Sequence, residues 1–124
     1  MSVRKEVAAK LAADWKTIPA LAGLRVKATE NLPDAIHEDL ALIRQTSMGR
    51  APQSPQGAWT VKLTLSIFSA HEDLDRAAED LDGYVEAALE YLPKNFLHED
   101  AELAKYENRL VYLIPLTITA KKEA

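Results

Sequence analysis

The tripeptide His-Glu-Asp occurs three times in this chain and contains all 3 of its histidines. The copies are His37-Glu38-Asp39, His71-Glu72-Asp73 and His98-Glu99-Asp100. Imidazole and carboxylate groups bind zinc, and they also serve as general acids and bases in catalysis. A metal or acid–base site divided among three chain segments is therefore the first chemistry to consider.

The spacing of the three copies favours a structural role instead. Zinc-binding helices place paired ligands at positions i and i+4, whereas these copies are separated by 34 and 27 residues and have different flanks. Each copy falls at or near a predicted element boundary, and acidic residues are favoured at helix starts by the macrodipole. We interpret the triplets as boundary residues, and we expect no catalytic residue, no metal and no cofactor.

Other motifs that carry chemistry are absent from the sequence. There is no glycine-rich nucleotide loop and no nucleophile elbow, and with 0 cysteines the chain has neither thiolate chemistry nor disulfides. Trp15 and Trp59 are predicted to be core residues rather than binding platforms. The sequence therefore predicts a protein that is not an enzyme.

Length and composition indicate one globular domain over residues 1–124, with 48% hydrophobic and 27% charged residues. No apolar run approaches the ~18–20 residues of a membrane-spanning helix. The N-terminus lacks the apolar stretch of a signal peptide. We expect a protein that is made in the cytoplasm.

Hydrophobic periodicity predicts the element order α-β-β-β-α-β. A helix over residues 3–15 has an apolar stripe of Val3, Val7, Leu11 and Trp15. Residues 59–69 alternate strictly and form the clearest strand. Ser69 and Glu72 fit a capping box for a second helix that ends before Pro93. The other predicted strands are residues 24–29, 40–47 and 109–120.

These elements predict an α+β fold, in which a mainly antiparallel sheet of about four strands has both helices on one face. The other face is expected to be open and partly apolar, and some of its residues are expected to contact a partner. By alternation it carries Ile43, Phe68, Val111 and Leu113. Pro115 cannot donate a ladder hydrogen bond, so the last strand is expected to be an edge there or to contain a bulge.

Residues 48–57 (MGRAPQSPQG) are predicted to form a long, irregular β-hairpin arm, because they include two prolines and two glycines. The arm is either a mobile loop or a segment that becomes ordered on a partner. Its candidate contact residues are Met48, Arg50 and Gln53. Arg44, in an otherwise apolar strand, is either a charge at the rim or half of an ion pair between subunits.

The net charge of −4 is unevenly distributed along the chain. Residues 71–107 contain 12 acidic and 3 basic residues, a net −9, and the remainder contains 12 basic and 7 acidic residues, a net +5. This pattern is either a solvated helix face or a pair of complementary patches by which copies dock head to tail. An acidic surface is a poor one for binding nucleic acid.

The amphipathic first helix, the strand ending in LIRQTS (residues 42–47), the Pro/Gly-rich arm and the long final strand together resemble the tail terminator (tail completion) proteins of bacteriophages with long, non-contractile tails. The resemblance covers nearly the whole chain and rests on element order and local texture. It implies a structural virion protein of the phage neck that forms a hexameric ring.

In that family the ring caps the tail tube, ends its polymerisation and offers the attachment surface for the head connector. The implied partners are therefore other copies of this chain, the tail tube protein and the connector or stopper, with DNA only passing through the lumen and no membrane. Two alternatives remain: another phage neck protein, such as a head–tail stopper or head completion protein, and a small dimeric α+β regulatory or binding module.

Overall fold

A computed structural model describes residues 3–29, 38–50, 58–71, 73–94, 96–106 and 109–121. These residues form two α-helices and one mixed sheet of six strands, so the predicted α+β class is confirmed. The elements are α1 (Val3–Trp15), β1 (Arg25–Ala28), β2 (Leu40–Arg50), β3 (Ala58–Phe68), α2 (Leu74–Tyr91), a 3-10 turn (Leu92–Lys94), β4 (Leu97–His98), β5 (Glu102–Tyr106) and β6 (Arg109–Lys121).

The strand order in the sheet is β1-β2-β3-β6, and both β4 and β5 pair with the free side of β6. β1 pairs parallel with β2, and the other pairs are antiparallel. The sheet is therefore larger and more mixed than the predicted one of about four strands. β4 and β5 lie in a segment without a clear apolar alternation, and they form because β6 offers them a long edge.

β4 and β5 act as one edge strand with a break opposite Pro115. β4 pairs with Leu116 and Thr117, and β5 pairs with residues 109–113. The backbone N–H of Glu99 donates to the carbonyl of Pro115 (3.0 Å). Because the nitrogen and carbonyl of one strand residue point to the same side, the proline nitrogen faces the break, where no donor is needed. The last strand itself contains no bulge at Pro115, since its register with β3 is continuous, and the interruption is the gap between β4 and β5.

Both helices pack on the same face of the sheet, here called the helix face. The predicted stripe of α1 is fully buried, and α2 buries Ala77, Leu81, Val85 and Ala88. They contact the inward row of β3, in which Val61, Leu63, Leu65 and Ile67 are at most 1% exposed. The predicted bounds of α1 and the predicted alternation of β3 are confirmed.

The predicted capping box of α2 is wrong. The N-cap is Asp73, whose carboxylate accepts a hydrogen bond from the Asp75 N–H at 2.9 Å. Ser69 lies too early in the chain, and its hydroxyl is used by Asp80 and the His71 N–H instead. Glu72 lies outside the described residues. Asp and Ser are equally good N-caps, so tertiary contacts decide between them.

The opposite face, here called the second face, carries a small core of its own. Leu40, Leu42, Phe68 and Val111 are at most 4% exposed, with Ala104 and Leu113 packed against them. The prediction that this face is open is therefore wrong for Phe68 and Val111. The prediction for Ile43 is also wrong, because Ile43 pairs with Leu65 and belongs to the core under the helices.

We expect Trp15→Phe to change the free energy of unfolding by less than about 1 kcal/mol. The indole Nε1 of Trp15 is buried without a hydrogen-bond partner in the described part of the chain, so the variant removes an unsatisfied donor while it loses some packing. Leu11→Ala, at 0% exposure, is expected to cost about 2–5 kcal/mol. Urea unfolding of both variants measures the difference, and a loss at Trp15→Phe as large as at Leu11→Ala would contradict this account.

Candidate functional site

The first two His-Glu-Asp copies meet at one end of the sheet. Leu40 at the start of β2 pairs with Phe68 at the end of β3, which places Asp39 beside Ala70. The Asp39 carboxylate accepts the Ala70 N–H through Oδ1 at 2.7 Å and the hydroxyl of Tyr84 through Oδ2. This carboxylate therefore joins β2, the β3–α2 connection and α2.

The second copy extends the same polar cluster. The Ser69 hydroxyl donates to Asp80 Oδ2 (3.1 Å) and accepts the His71 N–H (3.2 Å). His71 Nε2 lies 3.2 Å from the same Asp80 oxygen, and an Arg109 nitrogen donates to the Ser69 carbonyl at 3.3 Å. The two contacts with Asp80 join the connection after β3 to α2, the Arg109 bond joins it to β6, and the His71–Ser69 bond lies within it, so the arrangement holds the connection in place.

The third copy lies in the break between β4 and β5. His98 Nδ1 is 2.9 Å from the carbonyl oxygen of Glu99, and both groups belong to neighbouring residues on the surface. The described residues of all three copies lie at boundaries of helices or strands, as predicted. The described residues contain no group of three or more histidine or acidic side chains placed to hold a metal ion.

Three tyrosine–aspartate hydrogen bonds fasten the helices to their surroundings. Tyr84 donates to Asp39, and Tyr91 at the end of α2 donates to Asp14 on α1 at 2.5 Å. Tyr112 on β6 donates to Asp82 at 3.3 Å. Burial raises the pKa values of Tyr84 and Tyr91 well above the usual tyrosine value, and the neighbouring carboxylates add to the effect.

The pKa of Asp14 shifts in the opposite direction from that of Tyr91. The hydrogen bond from Tyr91, followed by the one from Lys10, lowers the pKa of the Asp14 carboxyl. The Lys10–Asp14 pair is exposed, with an N–O distance of 3.0 Å, so it contributes little to stability. Among the described residues, the groups with shifted pKa values all belong to these three tyrosine–aspartate contacts, which attach the helices.

The predicted partner-binding residues do not form one surface. Phe68 and Val111 are buried on the second face, and Leu113 is half-buried beside them. Arg44 lies on the same face, since it pairs with Thr64, and it is half-buried. These four residues share a face, but its apolar part is already covered within the chain.

The arm differs from its prediction at its first three residues. Residues 48–50 continue β2 and pair with β3 out to Arg50 and Trp59, so the prediction of an irregular segment is wrong there. A bulge at Thr46 shifts the alternation and places Met48 beside Val61 on the helix face. Met48 is 52% exposed. Gln53 and the rest of the predicted arm lie outside the described residues.

Sequence reasoning missed a surface on the β4–β5 edge. Leu97 is 71% exposed and Leu103 is 53% exposed. Between them lie the exposed carboxylates of Glu99, Asp100 and Glu102, which line an open cleft of about 540 Å³ against Pro115. The only sequence signal for this surface is a pair of isolated leucines in a polar segment, and such leucines are common on protein surfaces.

A second cleft, of about 340 Å³, lies at the opposite edge of the sheet, between the end of α1 and β1. Its lining is mainly apolar, and its charged members are Lys16 and Arg25. The described residues thus present two edge surfaces of opposite charge, each with an apolar component.

Neither the models of known protein families nor the curated proteins match this sequence. In the part of the chain that the structure describes, neither helix has the length and apolar character needed to cross a membrane.

We expect alkaline pH to destabilise the protein through Tyr84 and Tyr91. Their pKa values are raised in the folded state, so between the unfolded value of about 10 and the folded value only the unfolded chain ionises. Their contribution to stability is complete below about pH 10 and is lost as the pH rises further. Urea unfolding as a function of pH should show a shallower alkaline decline in the Tyr84→Phe/Tyr91→Phe variant. An unchanged decline would contradict the assignment.

We also expect the three histidines to be dispensable. Replacing His37, His71 and His98 by Gln removes the exposed contact with Asp80, and an exposed pair contributes about 0–1 kcal/mol. Thermal unfolding of the triple variant should therefore differ little from that of the parent. Elemental analysis provides the control, since a stoichiometric metal lost in the variant would overturn our interpretation of the triplets.

Proposed function

We propose that this protein is a tail terminator: a virion subunit that forms a ring of six copies on the end of a phage tail tube. The ring ends polymerisation of the tube and provides the attachment surface for the head connector. The resemblance in element order supports this proposal. The described elements keep the expected order, with the β4–β5 edge strand added before β6.

The observation that carries the proposal is the projecting end of the sheet. β1 pairs only with residues 40–43, and β4 and β5 reach only as far as Thr117 on β6. Among the strands that the structure describes, the last rungs of β2, β3 and β6 therefore form a three-stranded extension that no other strand flanks. On its helix face, Met48 and Ile118 flank Val61 in one cross-strand row.

This extension has the chemistry of a docking element. Met48 is 52% exposed, and a Cβ built on Gly49 would meet no atom within 4 Å. Trp59 and Ile118 are half-buried beside it. Methionine is an adaptable apolar side chain and tryptophan a rigid one, and both are enriched in protein interfaces. A rigid, paired strand end loses less conformational entropy on binding than a loop does.

The charge distribution suits the same role. The outer side of α2 exposes Asp75, Glu79, Asp82, Glu86 and Glu90. A surface of this kind repels DNA, which is an advantage for a ring through which a genome passes. The proposal thus requires no nucleic-acid binding by the protein.

The alternative of a dimer joined through an open sheet face has less support, because Phe68 and Val111 are buried within the chain. The alternative of a head–tail stopper or head completion protein concerns a different partner. Binding to the open end of a tail tube distinguishes it from a terminator.

We expect the protein to bind the open ends of purified tail tubes, and we expect Met48→Ser to weaken this binding about tenfold. Leu74→Ser is the matched control. Like Met48, Leu74 has a large apolar side chain that is exposed (41% of its surface), but it lies at the start of α2. Electron microscopy of tube ends and pelleting with tubes measure both variants. A protein that is absent from tube ends would overturn the proposed function, and an equal effect of the two variants would overturn the role of the extension.

A further inference from the structure

We infer that adjacent copies in the ring join through the two opposite edges of the sheet. The acidic edge (residues 97–103) of one copy docks into the basic cleft, between α1 and β1, of the next copy. This inference rests on the proposed function, and it names the partner of both surfaces as a second copy of this chain.

The acidic edge combines charge, apolar side chains and, within the described sheet, an open strand edge. Glu99, Asp100 and Glu102 are exposed and line an open cleft. Leu97 and Leu103 precede and follow these carboxylates in the chain, are 71% and 53% exposed, and lie on opposite faces of the edge by their register. In the described sheet, β4 and β5 pair only with β6, so their outer backbone groups are open to another chain. Single exposed leucines are ordinary on protein surfaces, so the contact surface is defined by their combination with the carboxylates and an open strand edge.

The basic cleft has the complementary properties. Its lining residues are Ala12, Trp15, Lys16, Leu21, Ala22, Gly23, Leu24, Arg25 and Val26. They include two cations and no acidic residue, and Lys27 is exposed close by on β1. Arg25 is bonded to Glu38 at 3.0 Å in an exposed pair, which is weak enough to exchange for a partner's carboxylate. The cleft volume of about 340 Å³ is larger than a leucine side chain.

The positions of the two surfaces determine the kind of assembly. β1 and the β4–β5 strand are at opposite edges of the described sheet. A contact between unlike patches on opposite sides of a subunit is heterologous, and repetition of it gives a closed ring when the rotation closes. Pairing of two acidic edges with each other would oppose like charges, which is unfavourable. The surfaces therefore favour a head-to-tail contact over a two-fold dimer.

Cross-linking through introduced cysteines tests this contact directly, because the chain has 0 cysteines of its own. Leu103→Cys and Ala22→Cys are both exposed positions, one on each surface, and are combined in one chain. A short bis-maleimide at high protein concentration should give a ladder of covalent oligomers that ends at a closed ring. Monomers only, or dimers only, would overturn the inference.

Charge reversal tests the specificity of the same ladder. Adding Glu102→Lys should lower the yield of cross-linked oligomers about tenfold, and adding Lys16→Glu, in the lining of the basic cleft, to that chain should restore most of it. Glu86→Lys and Arg76→Glu are the controls, because both residues are exposed on α2, and they should leave the ladder unchanged. An equal loss in the controls, or no rescue by Lys16→Glu, would show that the two edges do not meet.

The inference and the proposed function can fail separately. A ladder without binding to tail tubes would overturn the proposed function and leave the edge contact in place. Binding of the cysteine variant to tube ends with no cross-linked oligomers on those tubes would overturn the edge contact and leave the proposed function in place.

Discussion

The structure depends on the full-length pairing of β3 between two long neighbours. β3 is hydrogen-bonded along its length to β2 on one side and to β6 on the other. Its alternate residues form the surface on which both helices pack, with Val61 and Leu65 at 0% exposure. Because the side-chain period of a strand is two residues, a shift of one residue in this pairing would turn that whole row away from the helices. The register of β3 therefore fixes the core, the places of the helices and the direction of the projecting extension.

The sequence predicts the elements whose own pattern determines them. The four-residue spacing from Val3 to Trp15 gives α1 with its observed bounds, and strict alternation gives β3. The sequence fails to predict the features that depend on pairing with another strand. The residues Leu40 to Ile43 are all apolar, so their pattern does not say which side chain faces the helices; only pairing with β3 does. β4 and β5 were missed for the same reason, since their strand state depends on the long edge of β6 rather than on their own residues.

The candidate surfaces were predicted less well than the fold. Phe68 and Val111 were correctly placed on the face away from the helices, but their burial within the chain depends on packing that alternation does not describe. Met48 stays a predicted contact residue, but its setting differs from the expected one: it lies at the end of a paired strand instead of in a loop. Met48 lies on the helix face because of the bulge at Thr46, and no local residue pattern predicts that bulge. The exposed leucines of the acidic edge gave almost no signal, because exposure is a property of the fold.

Burial on the second face changes what the molecule offers to partners. Because Leu42, Phe68 and Val111 are covered, broad association of two second faces is disfavoured. The sheet edges and the extension are the described surfaces that still offer exposed apolar side chains and backbone hydrogen-bonding groups. Open edges promote unwanted aggregation, and proteins commonly protect them with charge. Here residues 97–103 of the β4–β5 edge carry three exposed carboxylates, with Lys105 exposed further along β5, and Lys16 and Arg25 at the other edge carry the opposite charge. The carboxylates that keep like edges apart are therefore the groups that select the unlike edge. Pro115 interrupts this edge, because it has no N–H to donate and the partner strand is divided opposite it into β4 and β5. The edge therefore does not offer one continuous row of backbone groups to another strand.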